Sequence, residues 1–210
     1  MLFNRLFRGK QSFDLKSIYE GHLKVTYRGI SAVRCPFDYV LYQMIICDII
    51  PDLVIEIGTN MGGGALYIAD LMNIIGHGEL HTIDINPIQN KIILDHPRVS
   101  FFDGGYDNYD ISMCLKYKKI IVIEDASHTY EDSLKALFKF APIVTIGSYY
   151  IVEDGIVENL GIEKKYNGGP QKAINEFLAT NHNFIVDRHW CDFFGKNTTF
   201  NVNGYLKKIS

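Results

Sequence analysis

Apolar positions fall along the chain in short continuous runs separated by stretches of helical spacing. The runs at 53–57, 79–83, 99–102, 119–123 and 148–152 are β-branched and bounded by Gly, Asp or Pro, which predicts buried strands. Between them, spacing near 3.6 predicts helices over 36–50, 65–71, 87–94, 109–117 and 130–140, and a last one over 170–180. Pro36 suits a first helical turn, Asp38 complements the N-terminal dipole and Pro51 stops that helix. Gly76 and Gly78 close the helix begun at 65, and Thr129 with Asp132 forms a variant of a capping box. Residues 155–170 have few apolar anchors and an adjacent glycine pair, which predicts a flexible lid. Two final runs, 184–187 and 199–206, lack a helix between them, so one is expected to be antiparallel. The fold class expected is α/β: a doubly wound, mostly parallel, seven-stranded Rossmann-like sheet. Residues 1–35 read as an N-terminal extension and 36–210 as one domain.

Composition narrows the partners. The apolar fraction of 47% supports a sizeable core, and a net charge of −3 offers nothing to nucleic acid or an anionic membrane. No run of apolar residues is long enough to span a bilayer, and the N-terminus lacks the continuous apolar stretch of a secretory signal. Leu2, Phe3, Leu6 and Phe7 beside Arg5, Arg8 and Lys10 suit a short amphipathic turn, expected to pack on the domain or on a second subunit, with contact to a membrane surface as the alternative. The four cysteines, Cys35, Cys47, Cys114 and Cys191, form no C-x-x-C pair, which argues for reduced thiols in a cytoplasmic protein, expected here as a homo-oligomer.

Candidate chemistry gathers at strand ends. After the run at 53–57 come Gly58, Asn60, Gly62, Gly63 and Gly64 and then a helix, a geometry that aims backbone N–H groups at a nucleotide. Asp84 ends the next strand at a spacing suited to ribose hydroxyls, and would repel a 2′-phosphate. The glycines do not follow G-x-G-x-x-G, and Glu56, two residues before Gly58, suits a cationic ligand better than a pyrophosphate. S-adenosylmethionine carries such a cation and no phosphate. Asp103, after the third strand, either lies near the adenine or forms a turn with Gly104.

Asp125, Glu153 and Asp154 follow the fourth and fifth strands, which are neighbours about 4.8 Å apart in a sheet of this kind. Three carboxylates there repel unless protonated or neutralised; either some of them cap the following helices or lie in solvent, or a hard cation joins them, and Mg2+ or Mn2+ is the expected metal. His128, three residues past Asp125, is the candidate general base. No second histidine accompanies it in a way that would suit a non-haem iron centre. Tyr149, Tyr150, Tyr166 and Trp190 either line an acceptor pocket or belong to the core.

The segments YRGISAVRCPFDYVLYQ, EIGTNMGGGALYIAD, HTIDINP, EDASHTYEDSL, APIVTIGSYYIVEDGIV and NGYLKK together resemble the cephalosporin hydroxylase-like family. It is a branch of the class I S-adenosylmethionine-dependent methyltransferases that includes rhamnosyl and other sugar O-methyltransferases. The resemblance runs from about Tyr27 to Leu206. It implies metal-assisted methyl transfer to a hydroxyl of a sugar, in a surface polysaccharide or a secondary metabolite. It places metal ligands at Asp125, Glu153 and Asp154, the base at His128, and cofactor contacts at Glu56, Gly58, Asn60, Gly62 and Asp84. Gly64 stands where relatives often have Ser, which removes a side-chain hydrogen bond to the cofactor. Two rival classes share parts of the pattern. One is an NAD-linked oxidoreductase, against which the glycine spacing counts; the other is a non-catalytic subunit, against which the acidic cluster counts.

Overall fold

A computed structural model describes residues 14–210, so the turn expected at 2–10 lies outside the described residues. The chain begins with helix α1 (Leu15–His22) and a hairpin of β1 (Thr26–Tyr27) and β2 (Ile30–Ser31), then enters α2 (Pro36–Ile49). Pro36 removes an amide that the first helical turn cannot use, and α2 ends at Ile50 in a left-handed conformation ahead of Pro51. The remaining strands are β3 (Leu53–Ile57), β4 (Glu79–Ile83), β5 (Val99–Phe102), β6 (Ile120–Glu124), β7 (Tyr149–Val152), β8 (Phe184–Val186) and β9 (Tyr205–Lys208). Helices α3 (Gly63–Ile75), α4 (Lys91–Leu94), α5 (Gly105–Asn108), α6 (Tyr130–Phe140), α7 (Gly169–Thr180) and α8 (Arg188–Cys191) lie among them.

The seven strands run in the order β5-β4-β3-β6-β7-β9-β8. All are parallel except β9, which is antiparallel to β7 and β8; one of the last two strands is thus reversed as expected, although the short helix α8 lies between them. Strand order reverses between β3 and β6, which opens a crevice at their carboxyl ends. Alternation along each strand sorts side chains between two cores. Val54, Ile121, Ile123 and Ile151 join α2 and α3 on one face. Leu53, Ile55, Val122 and Tyr150 join α6 and α7 on the other. Each such fully buried aliphatic side chain contributes roughly 1.5–3 kcal/mol. The same alternation aims Glu56, Asp125 and Glu153 at the α2/α3 face, because each continues the register of the residues just named.

Four elements differ from the sequence pattern. The helix expected at 109–117 is a 3-10 segment, Ile111–Lys116, because the Asp110 side chain accepts from Ser112 N and draws the chain into a turn. The helix expected over 87–94 shortens to α4, which Asn90 caps by accepting from Ile92 N. The last strand begins at Tyr205 rather than 199, since the preceding segment is tied to Asp38. That carboxylate is fully buried and accepts from the Thr199 hydroxyl, from Phe200 N at 3.0 Å and from Tyr205 OH at 3.1 Å. Burial pushes Asp38 up to about 7, so it is a core polar anchor and more than a dipole partner. The lid expected at 155–170 is pinned: it folds into 3-10 turns at Gly155–Val157 and Glu163–Tyr166, with Ile156 and Val157 buried. The Asn167 amide donates to Glu131 at 3.1 and 3.2 Å. All four cysteines are free, with Cys35, Cys114 and Cys191 buried and Cys47 exposed. Among the described residues no helix is long and apolar enough to cross a membrane.

Candidate active site

The crevice is built first by the glycine loop. Gly58 has φ +103°, and a Cβ there would lie 2.0 Å from the Asp125 carbonyl oxygen, so only glycine lets β3 and β6 end this close. Asn60 takes a left-handed conformation and donates its backbone N–H to Asp84 Oδ2 at 2.9 Å, while Asn86 N–H donates to Oδ1 at 2.9 Å. Gly62 caps α3 with φ +88°, and a Cβ on Gly63 would lie 2.4 Å from the Ser31 carbonyl oxygen. The hairpin thus rests directly on the N-terminus of α3, and residues 31–34 help to wall the crevice. Asp103 stands exposed past β5; the turn it opens returns to Asp84 through Gly105 N–H, 2.9 Å from the Asp84 carbonyl oxygen. Glu56 is buried and accepts from the Thr82 hydroxyl at 2.7 Å.

A residue absent from the sequence reading sits at the centre. Arg34, only 4% exposed, donates from Nε to Glu153 Oε2 at 3.2 Å and from Nη2 to Glu153 Oε1 at 2.6 Å. Nη2 also reaches Asp125 Oδ2 at 3.4 Å and lies 3.6 Å from Glu56 Oε1. The guanidinium packs over the Tyr42 ring at 4.7 Å, and Tyr42 OH donates to Glu153 Oε1 at 2.8 Å. Burial raises Glu56 to about 7, opposed by Arg34. Asp125 is held well above the usual carboxylate range by burial and then by Glu153. Burial also raises Glu153, against the pull of Arg34. A site where burial and mutual repulsion push carboxylates up is one that gains from added positive charge.

The structure places Glu153 against Arg34 and Tyr42 rather than beside Asp154. Both of its oxygens are engaged by Arg34 and Tyr42, and the group of ligand atoms within 4.8 Å of one another among the described residues is Asp125, His128 and Asp154. Consecutive strand residues face opposite ways, so a neighbouring acidic pair cannot converge without a turn. Asp154 makes that turn at φ +55°. Its carboxylate meets His128 Nε2 at 3.2 Å, and Asp125 Oδ1 lies 3.9 Å from the same nitrogen. Asp125, His128 and Asp154 each offer a ligand atom within 4.8 Å of the others. His128 is itself at φ +57°, just before Thr129 caps α6, and its Nδ1 is buried with no hydrogen-bond partner among the described residues. Tyr166 flanks the group, its ring 6.2 Å from that of His128. Tyr149, Tyr150 and Trp190 are buried and belong to the core.

This geometry fits a nucleoside-bearing cation beside a hard divalent metal. Glycines clear the loop, Asp84 holds it through the Asn60 and Asn86 backbone N–H groups, and acids of raised pKa line the inner end. The sequence profile of the rhamnosyl O-methyltransferase/CmcI family matches residues 20–209. The chain belongs to this family. Over 174 residues it is 29% identical to a rhamnosyl O-methyltransferase of Mycobacterium tuberculosis, an overlap of 76% of this chain and 69% of that protein. A structure of CmcI with SAH superposes with a TM-score of 0.67 at 17% identity, covering 97% of this chain and 95% of that one. A CmcI structure with Mg and SAM gives 0.63 at 19% identity, covering 99% and 84%. At these identities the two structures establish the shared fold. The chain is an S-adenosylmethionine-dependent O-methyltransferase, which sets aside the oxidoreductase and the non-catalytic subunit.

Arg34 and Tyr42 were the functional side chains that sequence reasoning missed. A single Arg before Pro36 has no periodic or motif signature. The available signal was indirect: three carboxylates expected in one crevice require a counter-charge, and the nearest unassigned cation on the hairpin side was Arg34.

Proposed function

We propose that this enzyme transfers the methyl group of S-adenosylmethionine to a hydroxyl of a sugar, in a surface polysaccharide or a secondary metabolite. In this reading Asp125 and Asp154 hold Mg2+ or Mn2+. The observation that carries it is the convergence of Asp125, His128 and Asp154 within 4.8 Å beside the glycine loop. Two carboxylates, completed by water and acceptor oxygens, suit a small hard cation. The sugar acceptor is supported by the relatives, which are named rhamnosyl O-methyltransferases, and the metal by the CmcI structure with Mg and SAM.

Each residue has a role in this scheme. Asp84 accepts from the ribose hydroxyls, and Gly58, Asn60 and Gly62 let the loop backbone approach the nucleoside. Asp103 stands beside the adenine. Glu56 and Asp125 face the cationic end of the cofactor. When bound, the metal lowers the pKa of the acceptor hydroxyl and the sulfonium supplies the methyl group. His128 takes the hydroxyl proton at Nε2, with Asp154 stabilising the imidazolium that forms. Holding the oxygen in line with the methyl group supplies much of the rate. Glu153 stays with Arg34 and keeps the inner wall rigid.

The test is labelled methyl transfer onto sugars and lipopolysaccharide extracts, with and without Mg2+, by the wild type and Asp154→Asn. Turnover should vanish in EDTA and in the variant, while SAH binding survives in both. Full turnover in EDTA would sink the metal role.

A further inference from the structure

Only one of the two ring nitrogens of His128 is accounted for. Nε2 faces Asp154 at 3.2 Å, whereas Nδ1 is buried with no hydrogen-bond partner among the described residues. Glu124 Oε2, Ser133 Oγ and Tyr150 OH are buried without a partner as well. Glu124 ends β6 one residue before Asp125, so the pleat sends its side chain to the α6/α7 face, where Val122 and Tyr150 also point. There it is 1% exposed, and its Oε1 accepts from Ala126 N at 3.3 Å, which folds the carboxylate under the loop that carries His128.

The charges place these groups in one cluster. Burial raises Glu124, and His128 is the first of the groups that oppose the rise. The Ser133 hydroxyl follows, close enough to favour the charged form yet outside hydrogen-bonding geometry. Burial, and then the same carboxylate, hold Tyr150 well above the usual phenol range. Of these four groups the ionised carboxylate is the only one that is purely an acceptor. A buried carboxylate oxygen and a buried ring N–H left unpaired side by side are both costly, and each supplies what the other lacks.

The chemistry requires one tautomer of the ring. His128 takes a hydroxyl proton at Nε2 only when Nε2 carries a lone pair, so the proton of the neutral ring must sit on Nδ1. Asp154 works against this, because a carboxylate 3.2 Å from Nε2 draws the ring proton to that side. An acceptor behind Nδ1 reverses the choice.

We propose that Glu124 is the positioning residue for His128: it accepts from Nδ1–H, directly or through one water, and so keeps Nε2 bare toward the acceptor hydroxyl. This rests on the reading of His128 as the base. The hydroxyl proton then ends on Nε2, and the imidazolium stands between Asp154 on one side and Glu124 on the other. Two adjacent acids at the end of β6 thus serve opposite faces of the site, Asp125 in front and Glu124 behind the base.

The experiment is long-range nitrogen–proton correlation NMR of the full chain labelled with nitrogen-15 histidine. It is run with Mg2+ and S-adenosylhomocysteine at pH 8.5, above the ordinary imidazole range. The His128 signals are assigned by their loss in His128→Gln. In the wild type Nδ1 should resonate as a protonated nitrogen and Nε2 as a bare one. A protonated Nε2 in the wild type overturns the assignment, and this reading needs no variant to fold. In Glu124→Met the proton should move to Nε2, the side of Asp154, while S-adenosylhomocysteine affinity in calorimetry stays within about 2-fold of wild type. Persistence of the Nδ1–H tautomer in that variant overturns the assignment as well. Labelled methyl transfer onto sugars should fall by about 10–100-fold in Glu124→Met, the usual loss when the partner that orients a functional histidine is removed. Wild-type transfer by Glu124→Met overturns the positioning role alone. Full transfer by His128→Gln overturns the base reading, and the role of Glu124 with it.

Discussion

Arg34→Met tests whether the acidic wall is held together by one buried cation. The side chain is 2% exposed and meets Glu153 at 2.6 Å, Asp125 at 3.4 Å and Glu56 at 3.6 Å. Methionine fills much of the volume but leaves these carboxylates facing one another. Removing one partner of a buried ion pair costs about 3–5 kcal/mol. The cost must depend on pH, and its sign follows from the direction of the shifts. Glu56, Asp125 and Glu153 are all raised in the folded protein, Glu56 to about 7. A carboxyl with a raised folded pKa keeps its proton longer in the folded than in the unfolded state. Stability is therefore lost as pH climbs from the unfolded value through the folded one. Without Arg34 the folded values rise further, so the loss is steeper in the variant. Urea denaturation followed by circular dichroism at pH 5, 6, 7 and 7.5, without metal, reads this directly. The variant should trail the wild type by about 1 kcal/mol at pH 5 and by about 3–5 kcal/mol at pH 7.5. A gap below about 1 kcal/mol at pH 7.5, or one that does not change with pH, would refute the reasoning.

Other outcomes follow from the same geometry. Glu56 moves from 4.5 to about 7 on folding, so wild-type stability relative to Glu56→Gln should fall by up to about 3 kcal/mol between those pH values, measured by the same titration. Gly58→Ala puts a Cβ 2.0 Å from the Asp125 carbonyl oxygen at a φ of +103°, and should abolish SAH binding in calorimetry and lower Tm by several degrees. Mg2+ should raise the Tm of the wild type at pH 7.5 but leave that of Asp125→Asn/Asp154→Asn unchanged in differential scanning calorimetry. Tyr166→Ala, which removes the ring 6.2 Å from His128, should raise the KM for the sugar acceptor several-fold while SAH affinity stays within about 2-fold of wild type.

Much of this fold is written locally. Leu53–Ile57 is a strand because five consecutive apolar or buried-facing positions end in Gly58, and α6 starts at Tyr130 because Thr129 caps it. Such signals lie within a few residues of the structure they specify, so they survive reading in one dimension. The same holds for the glycine loop and for His128 three residues past Asp125. Pro36 marks the start of α2 for the same local reason, whereas the short elements α4, α5 and Ile111–Lys116 depended on which side-chain turn won over a weak helical pattern.

What the sequence by itself determined was the strand–glycine loop–helix unit, the parallel sheet with one reversed strand, and the acids at the strand ends. These follow from periodicity, glycine and proline, which act over short distances along the chain. The tertiary structure alone decided how those acids are shared out. Arg34 lies 119 positions from Glu153 and 91 from Asp125, and no local pattern records that they meet. Nor could spacing show that Glu153 turns inward to Arg34 while Asp154, its neighbour, turns at φ +55° to His128. Sequence specifies which groups arrive at the crevice; pleat, backbone turn and the competition of buried charges for partners specify what each does there.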